Sequence, residues 1–149
     1  MAKVETRGLD GSFDVIRANI FDIAGIRITC AFISDIYVLS DMLTSQRDVE
    51  VLQIKDYVAQ PKENGYKSLH LILRVPVFMS DRVESVPVEL QIRTVAMDFW
   101  ASLEHKIYYK YDREVPAHIL AELKQAAEVA NNLDQKMESL RGEVNALQA

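Results

Sequence analysis

YKSLHLILRVPVFMSDRVESVPVELQIRT, residues 66–94, carries two strand-length runs in succession. Apolar residues recur at every second position: Leu69, Leu71 and Leu73 in the first run, then Val86, Val88, Leu90 and Ile92 in the second. A period of two marks a strand with one buried face. Residues 79–82 make the turn, so strands over 66–78 and 83–94 pair antiparallel. Tyr66, Ser68, His70 and Arg74 then share the face away from the leucines, as do Glu89, Gln91 and Arg93 on the second strand. Pro87 predicts an edge or an irregularity near the start of that strand.

Outward from this pair, Pro61-Lys-Glu-Asn64-Gly65 is a turn-forming loop, and residues 49–58 before it read as a strand. A strand is expected over 24–33, with Ile26, Ile28, Cys30 and Phe32 on one face and Arg27 and Thr29 on the other. Residues 34–45 have helical spacing, with Ser34 as the N-cap. A short helix over 11–20, capped by Ser12, precedes them. Residues 95–111 read as a helix with Trp100, Leu103 and Ile107 turned inward. Pro116 opens a last helix that runs to about residue 147. Sequential strands with short turns give antiparallel pairs, and the strand–helix–strand order permits one parallel crossover. The expected fold is α+β: a mixed, largely antiparallel sheet of four or five strands flanked by helices, with a long C-terminal helix. The core is expected over 1–111 and a helical extension over 112–149.

The chain has 149 residues, 49% of them hydrophobic, which fits one domain with a real core. Apolar runs fall short of the roughly 20 residues that span a bilayer. The opening MAKVETRGLDGS has no hydrophobic signal core, so a cytoplasmic protein is expected, away from membranes. Cys30 is the only cysteine, which excludes an internal disulfide and a cysteine-based zinc site. It reads as a small buried apolar residue. A net charge of −5 argues against duplex DNA as a partner. No glycine-rich Rossmann or P-loop fingerprint is present. Glu104-His105 lies on a helix without an HExxH partner, which leaves packing or a minor cleft role.

The polar sheet face has an unusual composition. Solvated faces are usually built from Lys, Glu and Thr, whereas this one combines Tyr66, His70, Gln91 and the arginines 27, 74 and 93 with carboxylates at Asp22 and Glu89. Two carboxylates aimed at one concave face could hold Mg²⁺, which keeps several waters and completes its octahedron with substrate phosphates. The surrounding cations would neutralise those phosphates. Tyr66 offers a ring on which a nucleobase can stack. The set suits phosphoryl-type transfer, which depends on positioning and charge neutralisation.

FDIAGIRI, KDYVAQPKENGYKSLH and VELQIRT, in this order and at this spacing, resemble the signature segments of the RelA/SpoT-type (p)ppGpp synthetase domain. AMDFWASLEHKIYYKY and the late helix resemble the small alarmone synthetase branch. The resemblance covers residues 20–111 and extends more weakly to about 145. It implies a sheet-and-helix fold related to nucleotidyltransferases. It further implies transfer of pyrophosphate from ATP to the ribose 3′-hydroxyl of GDP or GTP, the chemistry of the stringent response. Asp22 matches the family aspartate that holds Mg²⁺, and Glu89 the glutamate taken to activate the hydroxyl and share the metal. Tyr66 matches the tyrosine that stacks on guanine. Lys62 and His70 match residues near the acceptor phosphates, with Asn64 in the same loop. Lys55 and Arg27 correspond to basic positions lining the cleft, and Gln91 lies beside Glu89.

Residues 2–8 resemble only the tail of the family's ATP-gripping segment: Lys3 matches its last lysine, and Thr6 stands where relatives commonly have an arginine. Weak or absent turnover is therefore expected of this stretch alone, and a non-catalytic guanine-nucleotide sensor is the alternative reading. An interaction or RNA-binding module using the polar face is a third, which the acidic charge opposes.

Along the last helix, Leu123, Ala126, Ala130, Leu133, Met137, Leu140, Val144 and Leu147 follow a three–four spacing, a heptad seam. The seam either lies on its own domain or pairs with another subunit. Small synthetases of this branch resemble homotetramers, so the resemblance favours a homo-oligomer.

Overall fold

The computed structural model describes residues 24–148. The helix expected over 11–20, and with it Asp22 and Lys3, lies outside the described residues. The element order is β1 (Ala24–Cys30), α1 (Ile33–Thr44), β2 (Glu50–Asp56), β3 (Leu69–Phe78), β4 (Val83–Thr94), α2 (Val95–Lys110) and α3 (Ala117–Gln148). The strands form one open mixed sheet in the order β1-β4-β3-β2. The two pairs β2–β3 and β3–β4 are antiparallel, whereas β1 runs parallel to β4. The parallel pair allowed by the sequence exists, but β1 joins the last strand and not the next one. Pro87 sits opposite Arg74 on β3, one residue before the β1 ladder begins at Val88, where a missing N–H costs no ladder bond to β1.

The alternation in β3 and β4 decides which face is buried. Leu69, Leu71, Leu73, Leu90 and Ile92 are all nearly or fully inaccessible and meet Cys30, Ile36 and Met97 in one cluster. Ile28, Ile33, Leu39 and Leu43 pack around it, so α1 lies across this face. Ile36, with no exposed surface, is the residue through which α1 is anchored. α1 starts one residue earlier than its spacing implies. Phe32 holds the N-cap position without a side-chain bond, and Ser34 lies in the first turn, where its Oγ accepts from Arg141 of α3.

Where β4 ends, Thr94 caps α2: its Oγ1 accepts from the Met97 backbone N–H, and Met97 Sδ faces the Thr94 N–H in return. This is the reciprocal logic of a capping box with a thioether in place of a carboxylate. The inward stripe of α2 runs through Met97, Trp100, Ala101, Glu104 and Ile107. Leu103, expected inside, is 40% exposed, because the stripe passes through its neighbour Glu104. Trp100 is buried, as expected, and its indole N–H donates to the Leu123 carbonyl at 2.7 Å, fastening α3 to α2. Between the two helices Asp112 and Arg113 take positive φ values of 50° and 69°, and the Arg113 N–H closes onto the Tyr108 carbonyl. Pro116 precedes the first helical residue of α3, and its carbonyl accepts from Ile119 and Leu120.

The heptad seam divides along α3. Leu123, Ala126 and Ala130 are buried or half-buried on their own domain. Leu133, Met137, Leu140, Val144 and Leu147 are exposed. The inward positions of the second half are Asp134, Glu138 and Arg141, which bind Thr94, the Ser34 backbone N–H and the Ser34–Asp35 pair. Ile36→Ala is expected to lower the unfolding free energy by about 2–5 kcal/mol through lost burial and a residual cavity. Denaturant unfolding followed by circular dichroism measures it.

Candidate active site

Register assembles the polar face. Arg27 on β1 lies beside Gln91 on β4, Gln91 faces His70 on β3, and His70 faces Lys55 on β2. The sequence-predicted residues Arg27, Gln91, His70 and Lys55 thus form one row across the sheet. Directly opposed residues project from the same face with Cβ atoms about 5 Å apart. The adjacent row is Gly25, Glu89, Ile72 and Gln53. Glu89 is 7% exposed, and a cavity of about 220 Å³ lined by Gly25, Ile26, Arg27, Glu89 and Gln91 opens in front of it. A Cβ on Gly25 would meet no described residue within 4 Å.

A chain of hydrogen bonds runs from Glu89 towards β3. Gln91 Nε2 donates to Glu89 Oε1 at 3.2 Å, and Arg93 Nη2 donates to Gln91 Oε1. The same Nη2 donates to the Tyr66 hydroxyl at 3.0 Å, and that hydroxyl lies 2.9 Å from His70 Nε2. The Tyr66 hydroxyl thus sits between Arg93, which donates to it, and the His70 ring. Arg93 Nη1 also meets Asp98 Oδ1 at 3.4 Å, and Arg27 meets the same oxygen at 3.4 Å. Arg93 is 3% exposed. Burial lowers its pKa, and the nearby Arg27 charge acts the same way, while Tyr66 and Asp98 oppose them.

Tyr66 enters this network from the loop. The Lys62 N–H donates to the Tyr66 carbonyl, the Gly65 N–H to the Lys62 carbonyl, and Asn64 Oδ1 accepts from the Tyr66 N–H at 3.0 Å. Asn64 thus closes an Asx turn with its side-chain oxygen. Gly65 has φ +101°, a conformation that a side chain disfavours. Lys62 Nζ stands over two rings, 4.9 Å from the Tyr57 centroid and 5.1 Å from that of Tyr66. Tyr57 and His70 meet edge to face at 5.2 Å, as do Tyr66 and His70 at 5.7 Å. Beneath the loop, burial pushes the Glu104 carboxyl pKa up, against the pull of His105 and Lys62.

The structure therefore brings together Glu89, Gln91, Arg27, His70, Tyr66, Lys55, Lys62 and Asn64. Two expected members of the polar face do not join. Ser68 is fully buried and its Oγ donates to the Ile92 carbonyl, and Arg74 pairs with Glu50 towards the other end of the strands. Asp22 and Lys3 lie outside the described residues. Among the described residues, no group of three or more His, Cys, Asp or Glu side chains could hold a metal ion. Glu89 is a hard oxygen donor of the kind Mg²⁺ takes, and an ion of that type needs few protein oxygens when phosphates complete its shell. Sequence reasoning missed Tyr57 and Asp98, and it left Glu104 with packing or a minor cleft role. Tyr57 lies two residues after Lys55 in the segment KDYV, Asp98 is the acid of the first turn of α2, and Glu104 falls on its inward stripe.

The family described as "Region found in RelA / SpoT proteins" matches residues 1–114. The chain is 50% identical over 143 residues to the GTP pyrophosphokinase YwaC of Bacillus subtilis, covering 96% of this chain and 68% of that protein. It resembles the crystal structure of small alarmone synthetase 2 from Bacillus subtilis with a TM-score of 0.79 and 48% identity, over 89% of this chain and 77% of that one. It also resembles small alarmone synthetase 1 from the same organism, solved with its product pppGpp, with a TM-score of 0.77 and 38% identity over 96% of this chain and 72% of that one.

Arg93→Lys keeps the charge but cannot reach Gln91, Tyr66 and Asp98 at once, because an ammonium lacks the planar fork. The expected result is a loss of about 3–5 kcal/mol in denaturant unfolding, the cost of a broken buried ion network. An unchanged midpoint would show that the fork contributes nothing.

Proposed function

This chain belongs to the RelA/SpoT family, and on that footing we propose that it is a (p)ppGpp synthetase of the small alarmone type, transferring pyrophosphate from ATP to the ribose 3′-hydroxyl of GDP or GTP. One observation carries the reading: an unbroken hydrogen-bond path joins the nearly buried carboxylate Glu89 to the ring of Tyr66 through Gln91 and Arg93. A carboxylate and an aromatic platform tied in this way can address the sugar and the base of one nucleoside together.

Glu89 is the base. Its carboxylate accepts the 3′-hydroxyl proton as the oxygen attacks the β-phosphorus of ATP. The O3′–P bond forms, the bond between the β-phosphorus and the α–β bridging oxygen breaks, and AMP leaves. Gln91 donates to Glu89 Oε1 and so fixes the orientation of the carboxylate. General-base assistance of this kind contributes typically ~10²–10⁴-fold. Tyr66 carries the guanine base, its ring orientation fixed because the hydroxyl is bound by Arg93 and His70. Lys62, Lys55, Arg27 and His70 border the space that the acceptor phosphates occupy, and Asn64 holds the loop in shape. Lys3 belongs to the donor-nucleotide side. Asp22 and Glu89 are the residues that would hold Mg²⁺, whose chemistry is to neutralise the transferred phosphates. ATP and guanine nucleotides are cytoplasmic substrates, which agrees with the lack of a helix long and apolar enough to cross a membrane among the described residues.

The partner of α3 is a second copy of this chain. The exposed seam Leu133, Met137, Leu140 and Val144 recurs at heptad spacing on the side away from the sheet, as expected of a helix that pairs with its own kind. Its tetrameric arrangement is that implied by the small synthetase branch.

Tyr66→Ala is expected to weaken GDP binding by about 1–3 kcal/mol, roughly five- to 150-fold in Kd, in isothermal titration. In a chromatographic assay with ATP, GDP and Mg²⁺, Glu89→Gln should lower turnover ~10²–10⁴-fold while GDP binding persists. Full turnover by Glu89→Gln would remove the base from the mechanism. Separately, Leu140→Glu introduces like charges into the seam and should reduce the mass measured by light scattering towards that of a monomer. An unchanged mass would exclude this face as the contact.

A further inference from the structure

Loop 61–67 is held from behind by α3, and nothing in the chemistry above explains why. Gly65 has no side chain where α3 comes nearest: a Cβ built on it would stand 2.5 Å from Ala127 Cβ and 3.7 Å from Trp100 Cζ2. Lys67, which follows Tyr66, donates from Nζ to Asn131 Oδ1 at 2.5 Å. One turn further along, Asp134 is 4% exposed and accepts from Thr94 Oγ1 at 2.8 Å, and its charge also faces Lys67. A cavity of about 10 Å³, the room of a single water, lies between Gly65, Lys67, Trp100, Ala127, Asn131 and Asp134. On the Trp100 and Asp134 side the contact is close-packed and polar, whereas on its outer side a cavity of about 200 Å³ opens between Lys62, Glu63 and Lys67 of the loop and Lys124, Glu128 and Asn131 of α3. Burial raises the Asp134 pKa and lowers that of Lys67, and each charge offsets the other's cost.

Two successive turns on one side of α3 touch both ends of the acceptor site. Asp134 binds Thr94, the residue after Arg93, whereas Asn131 and Ala127 meet the residues on either side of Tyr66. The adjoining side of α3, roughly 100° around its axis, bears the exposed seam.

We infer that α3 sets the conformation of the acceptor loop, with Ala127, Asn131 and Asp134 acting as positioning residues that hold Tyr66 and Lys62 in place from outside the nucleotide site. Their side chains face the back of the loop, so they act on the acceptor through Gly65 and Lys67. Rigid attachment of a loop removes part of the ordering cost of binding. It follows that acceptor affinity depends on α3, while donor handling and chemistry do not. The identity of the acceptor rests on the function proposed above; the mechanical coupling of helix and loop does not.

The test compares wild type with Asp134→Ala, Asn131→Ala and Ala127→Leu in the full chain, with Val129→Ala, 67% exposed on the same helix, as the control. Amide hydrogen exchange is measured without nucleotide, and binding with a fluorescent N-methylanthraniloyl-GDP. The expected result is exchange at residues 62–67 at least tenfold faster and a Kd raised about tenfold in the three variants. The KM for ATP and kcat at saturating GDP should stay near wild type, and Val129→Ala should change neither exchange nor binding. A variant that is only less stable overall would accelerate exchange throughout the sheet and leave the KM ratio unaltered. Wild-type exchange and Kd in both Asn131→Ala and Ala127→Leu, which survive even if Asp134→Ala fails to fold, would overturn the inference. If wild-type protein takes up no GDP analogue, the functional reading fails, and the exchange measurement still decides whether α3 holds the loop.

Discussion

A buried guanidinium organises this molecule. Arg93 is 3% exposed at the end of β4, and taking a cation out of water costs several kcal/mol unless its donors are met. Here its two terminal nitrogens are met by Gln91 from its own strand, by the Tyr66 hydroxyl from the loop before β3, and by Asp98 from the first turn of α2, while Nε has no partner among the described residues. Three separate pieces of chain must therefore be in register before the charge is satisfied. A slip by one residue in the β3–β4 pairing would turn Arg93 to the leucine face, so the charge enforces the register that the hydrophobic alternation prefers. The pairing of His70 with Gln91, and with it the row across the sheet, follows from the same constraint.

Sequence alternation made the two faces of the sheet legible, because a period of two needs no knowledge of the fold. Leu69, Leu71, Leu90 and Ile92 fall on one face of the sheet and Glu89, Gln91 and His70 on the other for that reason alone. The placement of β1 beside β4 was not legible: its pairing is parallel and spans more than sixty residues, with no local turn to signal it. Helix details failed where tertiary contacts override local signals. Ser34 looks like a cap, yet Arg141 and Glu138 from α3 claim its hydroxyl and N–H. Leu103 looks like core, yet Glu104 holds the inward position because the acid lies beneath the lysine-bearing loop. The site residues themselves were named largely through family resemblance. Alternation placed Glu89 and Tyr66 on one face, but only coordinates show that Arg93 and Gln91 connect them.

α3 has two different faces, and each has its own chemistry. Its inward side is polar beyond Ala127: Asn131, Asp134, Glu138 and Arg141 reach the loop, Thr94 and the start of α1. Such contacts are directional, so they fix the rotation of the helix about its axis more tightly than apolar packing would. The rotation in turn aims Leu133, Met137, Leu140 and Val144 away from the sheet. A helix rotated by one position would bury the seam and expose Asp134.

The cations around the cleft divide by how much it costs to move them. Arg93 is committed: it is buried, and losing any acceptor would leave a desolvated charge. Arg27 is not, since its side chain is 55% exposed and its contact with Asp98 is 3.4 Å long, the kind of surface ion pair worth about 0–1 kcal/mol. Lys62 likewise rests on Tyr57 and Tyr66 through cation–π contacts, worth roughly 0.5–1 kcal/mol where solvent reaches them. Both can leave these partners for a phosphate at little cost, whereas the framework that presents them stays fixed. The site thereby keeps its geometry rigid and its counter-charges movable, which is what a reaction that shifts a polyanionic group between two nucleotides demands.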